Sequence, residues 1–179
     1  QKYLLKIHYF FSLFNLLIYL IFIFFDILIL KMIKQISIKT KIGWISAFEE
    51  KDKIIRVKFG KCKNISNSKN LKKFKSNINN FFLRKNKYFN FDILIKGNSV
   101  QKKVWKELKK IKFGQTKSYG EIAKKYKLSP RHVGKICSQN QIILAIPCHR
   151  VIKSDGSLGG FSSIGGVNTK KKLLNFEKY

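Results

Sequence analysis

Cysteine is scarce in this 179-residue chain. The three thiols, at positions 62, 137 and 148, show neither paired spacing nor a Cys-x-x-Cys. Three cannot all pair within one chain, so a disulfide framework and a zinc cluster are both excluded as expectations. A reducing cytoplasm fits this usage, and it would keep a reactive thiol reduced. Acidic residues are scarcer still in proportion: 9 Asp and Glu stand against 38 Lys and Arg, for a formal net charge of +29. That balance is the electrostatic footprint expected for a polyanion, because each phosphate neutralised by a cation releases counterions. Alanine and proline are also rare, while Lys, Ile, Asn and Phe abound. AT-rich coding produces such a bias by itself, so a merely solvated lysine face is the alternative reading. Arginine escapes this objection. Only four are present, at 56, 84, 131 and 150, against 34 lysines, which points to positions needing a planar, multi-donor guanidinium.

Methionine occurs once, at position 32. Before it, residues 10–30 are apolar except for Ser12, Asn15 and Asp26, and as a helix they would span about 30 Å, the thickness of a bilayer core. Two readings stand. One is a membrane anchor; the other, preferred because the chain begins with Gln1, is translation of an upstream non-coding region with Met32 as initiator. A signal peptide is disfavoured because no small-residue cleavage site precedes Lys31. The expected division is therefore a hydrophobic leader at 1–31, an α+β domain at 32–97 and a mainly helical domain at 98–179.

Within residues 36–60, the β-prone runs Ile36-Ser37-Ile38, Trp44-Ile45-Ser46-Ala47-Phe48 and Ile54-Ile55-Arg56-Val57-Lys58-Phe59 flank Glu49-Glu50-Lys51-Asp52-Lys53, read as a polar turn, which predicts a meander. Leu71, Phe74, Ile78, Phe81 and Phe82 recur at helical spacing and would cover that sheet. Phe91, Ile93 and Ile95 alternate like a returning strand. Cys62 falls in a polar loop with no defensible chemistry.

From Gly97 onward the signals change. Val100, Val104, Leu108 and Ile111, with Trp105 alongside, make the stripe of an amphipathic helix. Ser118-Tyr119-Gly120-Glu121 reads as a capping box opening a helix to about Lys127. Ser129-Pro130 opens another, with Ser as cap and Pro at the first helical position. Two short helices so joined make a helix-turn-helix whose second member begins with Arg131 and His132. Ile142-Ile143-Leu144-Ala145-Ile146 is a buried apolar run, Ser154-Asp155-Gly156-Ser157 a tight turn, and Gly159, Gly160, Gly165 and Gly166 make a pliable loop. Asn168 is placed to cap a final helix that buries Leu173 and Leu174 and carries Glu177.

The apolar run leads into Ile146-Pro147-Cys148-His149-Arg150-Val151, a thiol beside an imidazole. The thiolate is the reactive form of cysteine, and a neighbouring base raises its population. A Cys beside a His is also common in cores, so geometry must decide. Upstream lies Phe113-Gly114-Gln115-Thr116-Lys117-Ser118-Tyr119-Gly120-Glu121-Ile122-Ala123, and downstream Gly159-Gly160-Phe161. This order closely resembles the O6-alkylguanine-DNA alkyltransferases, the methylated-DNA–protein-cysteine methyltransferases, over about residues 97–177, with a looser match at 42–60. The resemblance implies a small ribonuclease H-like N-terminal domain of sheet plus helix, then a helical domain with a winged-helix-like helix-turn-helix.

It also implies DNA repair by direct reversal. An alkyl group would pass irreversibly from O6-alkylguanine, and from O4-alkylthymine, to Cys148 in a single turnover. His149 would take the thiol proton through a water, and Glu177 would orient the imidazole; the alternative for Glu177 is a solvated residue of the last turn. The damaged nucleotide would be flipped out of the duplex. Arg131 would fill the vacated stack, or else contact a phosphate at a helix start. Tyr119 would turn the phosphate and protonate the leaving guanine, or else be a core aromatic. Asn140 would brace the turn that holds the cysteine. Val151 would act through its carbonyl, and Phe161 and Ser162 would face the base. Neither a metal nor a cofactor is implied, and the protein would be a cytoplasmic monomer bound to double-stranded DNA. Departures from the family pattern are Gln141 where proline is usual, Val100 where Phe is usual, and a longer loop at 161–166, which leaves Ser162 preferred over Ser163 for the guanine O6.

The competing reading within the family is a non-catalytic lesion sensor that keeps the DNA-binding frame but replaces the cysteine, against which Cys148 argues. A Cys-His-Glu hydrolase would need an oxyanion hole and a substrate groove as well. A transcriptional regulator would show dimer-forming sequence, and none is evident.

Overall fold

The computed structural model describes residues 16–21, 23, 33–64, 66 and 68–178. The apolar segment at 10–30 lies mostly outside these; of it, residues 16–21 and 23 are helical with exposed side chains. No helix among the described residues is long and apolar enough to cross a membrane.

Lys34–Tyr179 forms one compact unit. It is a mixed α/β fold that opens with an antiparallel meander of β1 (Lys34–Thr40), β2 (Gly43–Glu50) and β3 (Lys53–Phe59). Its register pairs Ile36 with Ala47, Ile38 with Ile45, and Ala47 with Val57. The turn between β2 and β3 is tighter than the expected 49–53: Glu49 and Glu50 extend β2 and Lys53 opens β3, because Lys51 and Asp52, both at positive φ, reverse the chain in two residues, matching the right-handed twist of the strands. Helix α1 (Lys69–Phe82) is capped by Ser68, whose hydroxyl accepts from the Leu71 amide, and it buries Leu71, Phe74, Ile78, Phe81 and Phe82. The helical spacing read from sequence therefore delivers the apolar face as expected.

Phe91, Ile93 and Ile95 do not form a returning strand. They alternate partly buried with exposed neighbours, but only Ile93 pairs, in an isolated parallel bridge with Ile54. The edge of β3 is shared: the Ile54 amide donates to the Asp92 carbonyl at 2.8 Å, and the Val57 amide to the Gln141 carbonyl at 2.8 Å. The second contact ties the meander to the chain just before the cysteine motif.

Helix α2 (Ser99–Leu108) starts in a capping box between Asn98 and Gln101. Val104, Trp105 and Leu108 are buried, and the Trp105 indole donates to the Ile136 carbonyl at 3.1 Å. The stripe is shorter than expected at both ends. Val100 is 38% exposed, and Ile111, though buried, lies beyond the helix. Strand β4 (Lys117–Ser118) leads into α3 (Tyr119–Tyr126), whose capping box of Ser118 and Glu121 is present as expected. Lys127 turns the chain in the left-handed region, and α4 (Pro130–Ser138) begins with Ser129 as cap. A tight 3-10 turn, Cys148–Arg150, precedes β5 (Val151–Ile152), which pairs in parallel with β4.

The last helix, α5 (Gly166–Lys178), begins two residues before Asn168, so Asn168 is inside its first turn and is not the cap. Gly165 and Gly166, both at positive φ, carry the turn into the helix. The Gly166 amide donates to the Ser163 carbonyl at 2.8 Å.

Candidate active site

The run at 142–146 is neither a strand nor a helix. It folds into a compact turn in which the Ile146 amide donates to Ile142 and the Ala145 amide to Ile143. Buried Leu144 sits at φ 69, a conformation that costs a non-glycine residue about 1 kcal/mol or more. Asn140 holds this turn together. Its carbonyl oxygen accepts from the Ile142 amide at 2.9 Å, and its amide donates to the Ile146 carbonyl at 2.7 Å and to Cys148 Sγ at 3.1 Å. The residue braces the turn and touches the sulfur directly.

Burial pushes the Cys148 thiol up from its ordinary pKa, while the Asn140 hydrogen bond and the positive charge of Lys170 pull it back down. Burial likewise lowers the pKa of His149, against the opposing pull of Glu177. His149 Nε2 lies 2.8 Å from Glu177 Oε1, and each side chain is 1% exposed. The expected pairing of Glu177 with His149 is thus present in space, although 28 residues separate them in sequence.

Two further donors close around this carboxylate. Arg150 grips it with Nε to Oε2 at 2.8 Å and Nη2 to Oε1 at 2.9 Å, and the Gly114 amide donates to Oε2 at 3.2 Å. Burial raises the Glu177 pKa, but the hydrogen bonds and charges of His149 and Arg150 outweigh it and hold the value near 2. The Arg150 Nη1 reaches on to the Ile111 carbonyl at 2.6 Å, so one guanidinium fixes both the carboxylate and the turn that follows α2. Gly114 must be glycine here: it sits at φ +77, and a Cβ would lie 3.1 Å from the Glu177 carbonyl oxygen.

Cys148 opens into a cavity of about 890 Å³, which is within the size range of small-molecule sites. Tyr119, Arg131, Cys137, Phe161 and Ser162 line it together with Gly159 and Gly160. Ser163 is not among the lining residues, and Ser162 is tied to the Ser138 carbonyl at 2.9 Å. Arg131 stands exposed at the first turn of α4, where the cavity meets the surface. Burial raises the Tyr119 pKa to about 12, so its phenol keeps its proton at neutral pH. Gly159, at φ +67, lets the loop approach this ring; a Cβ there would lie 3.0 Å from Tyr119 Cε2. Val151 does not line the cavity.

Lys170 is a site residue that sequence reasoning missed. Its ammonium is wholly buried and donates to the Val151 carbonyl at 2.6 Å, to the Leu158 carbonyl, to the Gly160 carbonyl at 3.4 Å and to the Tyr119 hydroxyl at 3.3 Å. Burial lowers its pKa to about 8. It lies in a run of three lysines, so nothing in the sequence separates it from its solvated neighbours. The grip of Arg150 on Glu177 is likewise not legible in the sequence, though the scarcity of arginine marks the residue.

Cys137 lines the cavity beside the nucleophile candidate, with burial raising its thiol pKa to about 12. Cys62 lies apart, its sulfur accepting from Ser37 Oγ at 3.1 Å. Among the described residues, no cluster of His, Cys, Asp or Glu is arranged to hold a metal ion.

The chain is similar in sequence and in fold to known proteins. Residues 99–179 match the profile of the 6-O-methylguanine DNA methyltransferase DNA-binding domain. A methylated-DNA–protein-cysteine methyltransferase of Metallosphaera sedula is 36% identical over 149 residues, covering 82% of this chain and 94% of the relative. One from Methanocaldococcus vulcanius is 53% identical over 81 residues, 45% of this chain and 48% of the relative. Among solved structures, the O6-methylguanine methyltransferase of Mycobacterium tuberculosis superposes with a TM-score of 0.70 at 29% identity, covering 82% of this chain and 93% of that one. The same enzyme in complex with DNA gives 0.71 at 28% identity, over 81% and 93%. With Cys148 lining a cavity, a buried His149–Glu177 pair beside it in the chain, and similarity running through both the meander and the helical part, the chain belongs to the methylated-DNA–protein-cysteine methyltransferase family.

Proposed function

We propose that the protein repairs DNA by moving an alkyl group from the O6 of guanine, and from the O4 of thymine, onto Cys148. One observation carries this reading: the Cys148 thiol is buried at the end of a cavity large enough for a base, held by Asn140 and adjoining a histidine that is locked to a carboxylate.

His149 is the base. Its Nε2 hydrogen faces ionised Glu177, so proton exchange falls to Nδ1, which takes the Cys148 proton through a water. The thiolate attacks the alkyl carbon; a carbon–sulfur bond forms as the carbon–oxygen bond breaks, and Tyr119 supplies the proton to the departing guanine. No group in the site is suited to cleave the resulting thioether, so each molecule acts once.

A base inside a duplex cannot reach a sheltered thiol, and the nucleotide must rotate into the cavity at a cost of a few kcal/mol. Helices α3 and α4 read as a helix-turn-helix, winged by the β4–β5 pair, with Arg131 entering the space the base vacates. The net charge of +29 supplies the phosphate attraction. Ser162 and Phe161 contact the flipped base, with Ser162 preferred to Ser163 because it lines the cavity. The carbonyl of Val151, expected to face the base, accepts instead from Lys170 and lies off the cavity lining. Residues 32–97 would form a ribonuclease H-like domain and 98–179 the DNA-binding and catalytic domain. The protein would act as a cytoplasmic monomer.

The test is intact-mass measurement after incubation with duplex DNA carrying O6-methylguanine. One methyl group per protein, mapped to Cys148, is the expected result. Methyl on Cys62 or Cys137, or repeated turnover, would overturn it. The lesion-sensor alternative predicts tight binding with no mass change.

A further inference from the structure

Of the four arginines in this lysine-rich chain, three each touch a different part of the candidate site or its support. Arg131 lines the cavity and Arg150 grips Glu177. The third, Arg84, has no part in the mechanism above. It lies just past the end of α1, more than ninety residues from the carboxylate in sequence, yet its Nη2 donates to the carbonyl of Phe176, the residue immediately before Glu177. Its guanidinium also sits 5.1 Å from the Phe176 ring centroid and 5.9 Å from that of Phe113.

The last carbonyls of a helix lack intrahelical donors, and a cation there also interacts favourably with the helix dipole. Arg84 therefore closes the end of α5 from outside the helix. The Phe176 ring is held from the same side, 5.1 Å from Phe82, 5.5 Å from Phe81 and 6.1 Å from Phe113. Phe81 and Phe82 belong to α1, the helix that packs on the meander. The backbone of Phe176 is thus fixed from the N-terminal half, while the side chain of Glu177 is fixed by His149, Arg150 and Gly114. A planar guanidinium can stack on two rings and donate to a carbonyl at once; an ammonium cannot reproduce that geometry.

We infer that Arg84 is a positioning residue for the alkyl-transfer reaction: it clamps the end of α5 so that Glu177 stays within hydrogen-bonding distance of His149. The inference rests on the proposed roles of Cys148, His149 and Glu177. It gives the N-terminal half a specific task in catalysis, delivered through α1 and Arg84.

The test uses the full chain and Arg84→Met and Arg84→Lys variants, with single-turnover transfer rates from O6-methylguanine duplex followed across pH, alongside DNA affinity and circular dichroism. Transfer by the unaltered protein is checked first; if it forms no methylated Cys148, the reading of the site fails and Arg84 is not at issue. If it does transfer, Arg84→Met should slow the step about ten- to a hundredfold, as a small misplacement of a catalytic group does. DNA affinity should be unchanged. Glu177 raises the His149 pKa, so a loosened Glu177 should move the acid limb of the rate profile to lower pH. Arg84→Lys should share that shift. A uniform loss at every pH that tracks the folded fraction would assign Arg84 to stability alone, and rates equal to the unaltered protein would overturn the clamp. Should Arg84→Met fold poorly, the imidazole titration of His149 by NMR in Arg84→Lys decides: an unmoved His149 titration overturns the inference.

Discussion

His149 Nε2 and Glu177 Oε1 lie 2.8 Å apart, both sealed from solvent, although one belongs to the tight turn after Pro147 and the other to the last turn of α5. The carboxylate is ionised, so it fixes the imidazole tautomer and leaves Nδ1 as the ring nitrogen with a lone pair to accept a proton. Glu177→Gln keeps the shape and removes the charge. Transfer should fall by about a hundredfold to ten-thousandfold, the range for losing an effective general base. Because Arg150 would be left buried without its counter-charge, stability should also fall by about 3–5 kcal/mol. Urea unfolding and single-turnover rates measure the two effects separately; a variant that keeps both would remove Glu177 from the mechanism.

Cys148→Ala should abolish transfer and leave affinity for alkylated duplex intact, because affinity comes from phosphate contacts and capture of the flipped base. Gel-shift titration checks binding and intact mass checks transfer. Loss of both in a folded variant would contradict the separation.

Arg131→Ala should slow repair in duplex DNA far more than transfer from free O6-alkylguanine, since a guanidinium that fills the vacated stack matters only when there is a stack. Comparing the two substrates measures it. Equal loss on both would move Arg131 from extrusion to the active site or to folding.

Lys170→Met should release the loop at 158–160 from α5. Three backbone carbonyls would lose their donor, at about 1–3 kcal/mol for each that stays buried and unsatisfied. Hydrogen exchange should rise in that loop first, with weaker capture of the base beside Tyr119 and Phe161. Unchanged exchange there would mean that the loop holds itself.

Acid should unfold the protein through two buried carboxylates. Glu107 is held near pKa 2 by the hydrogen bond from Lys125, with desolvation opposing and Lys117 assisting, and Glu177 is also held near 2. Both values lie below the ordinary 4.5. Their contribution is therefore complete above about pH 4.5 and is lost as pH falls toward 2. A pH series of thermal unfolding should show this slope, and Glu107→Gln should flatten it. Equal slopes in both proteins would exclude Glu107 as a source.

Local chemistry made much of this fold legible in sequence. The alternation of the meander, the apolar spacing of α1, and the Ser118 and Ser129 caps depend on residues within a few positions of one another, and each element formed where its pattern fell. Elements that depend on distant partners depart from their local pattern. Phe91 to Ile95 has strand alternation but meets β3 at one residue, because Gln141 and Ile142 take the next stretch of that edge. The Asn168 cap was displaced by two glycines free to adopt positive φ.

The site divides in the same way. Cys148, His149 and Tyr119 stand out in the sequence because their motifs are contiguous, and Glu177 through the match around it. What only the tertiary structure decided is how charge is neutralised: which lysine among the described residues is buried, which arginine grips Glu177, and which one donates to the end of the helix that carries it. Lys170 differs from Lys171 and Lys172 solely in facing inward, where leaving water is offset by backbone carbonyls contributed by segments ten to nineteen residues away. A cation's surroundings are set by chain segments that meet only on folding, and one-dimensional pattern carries no record of them.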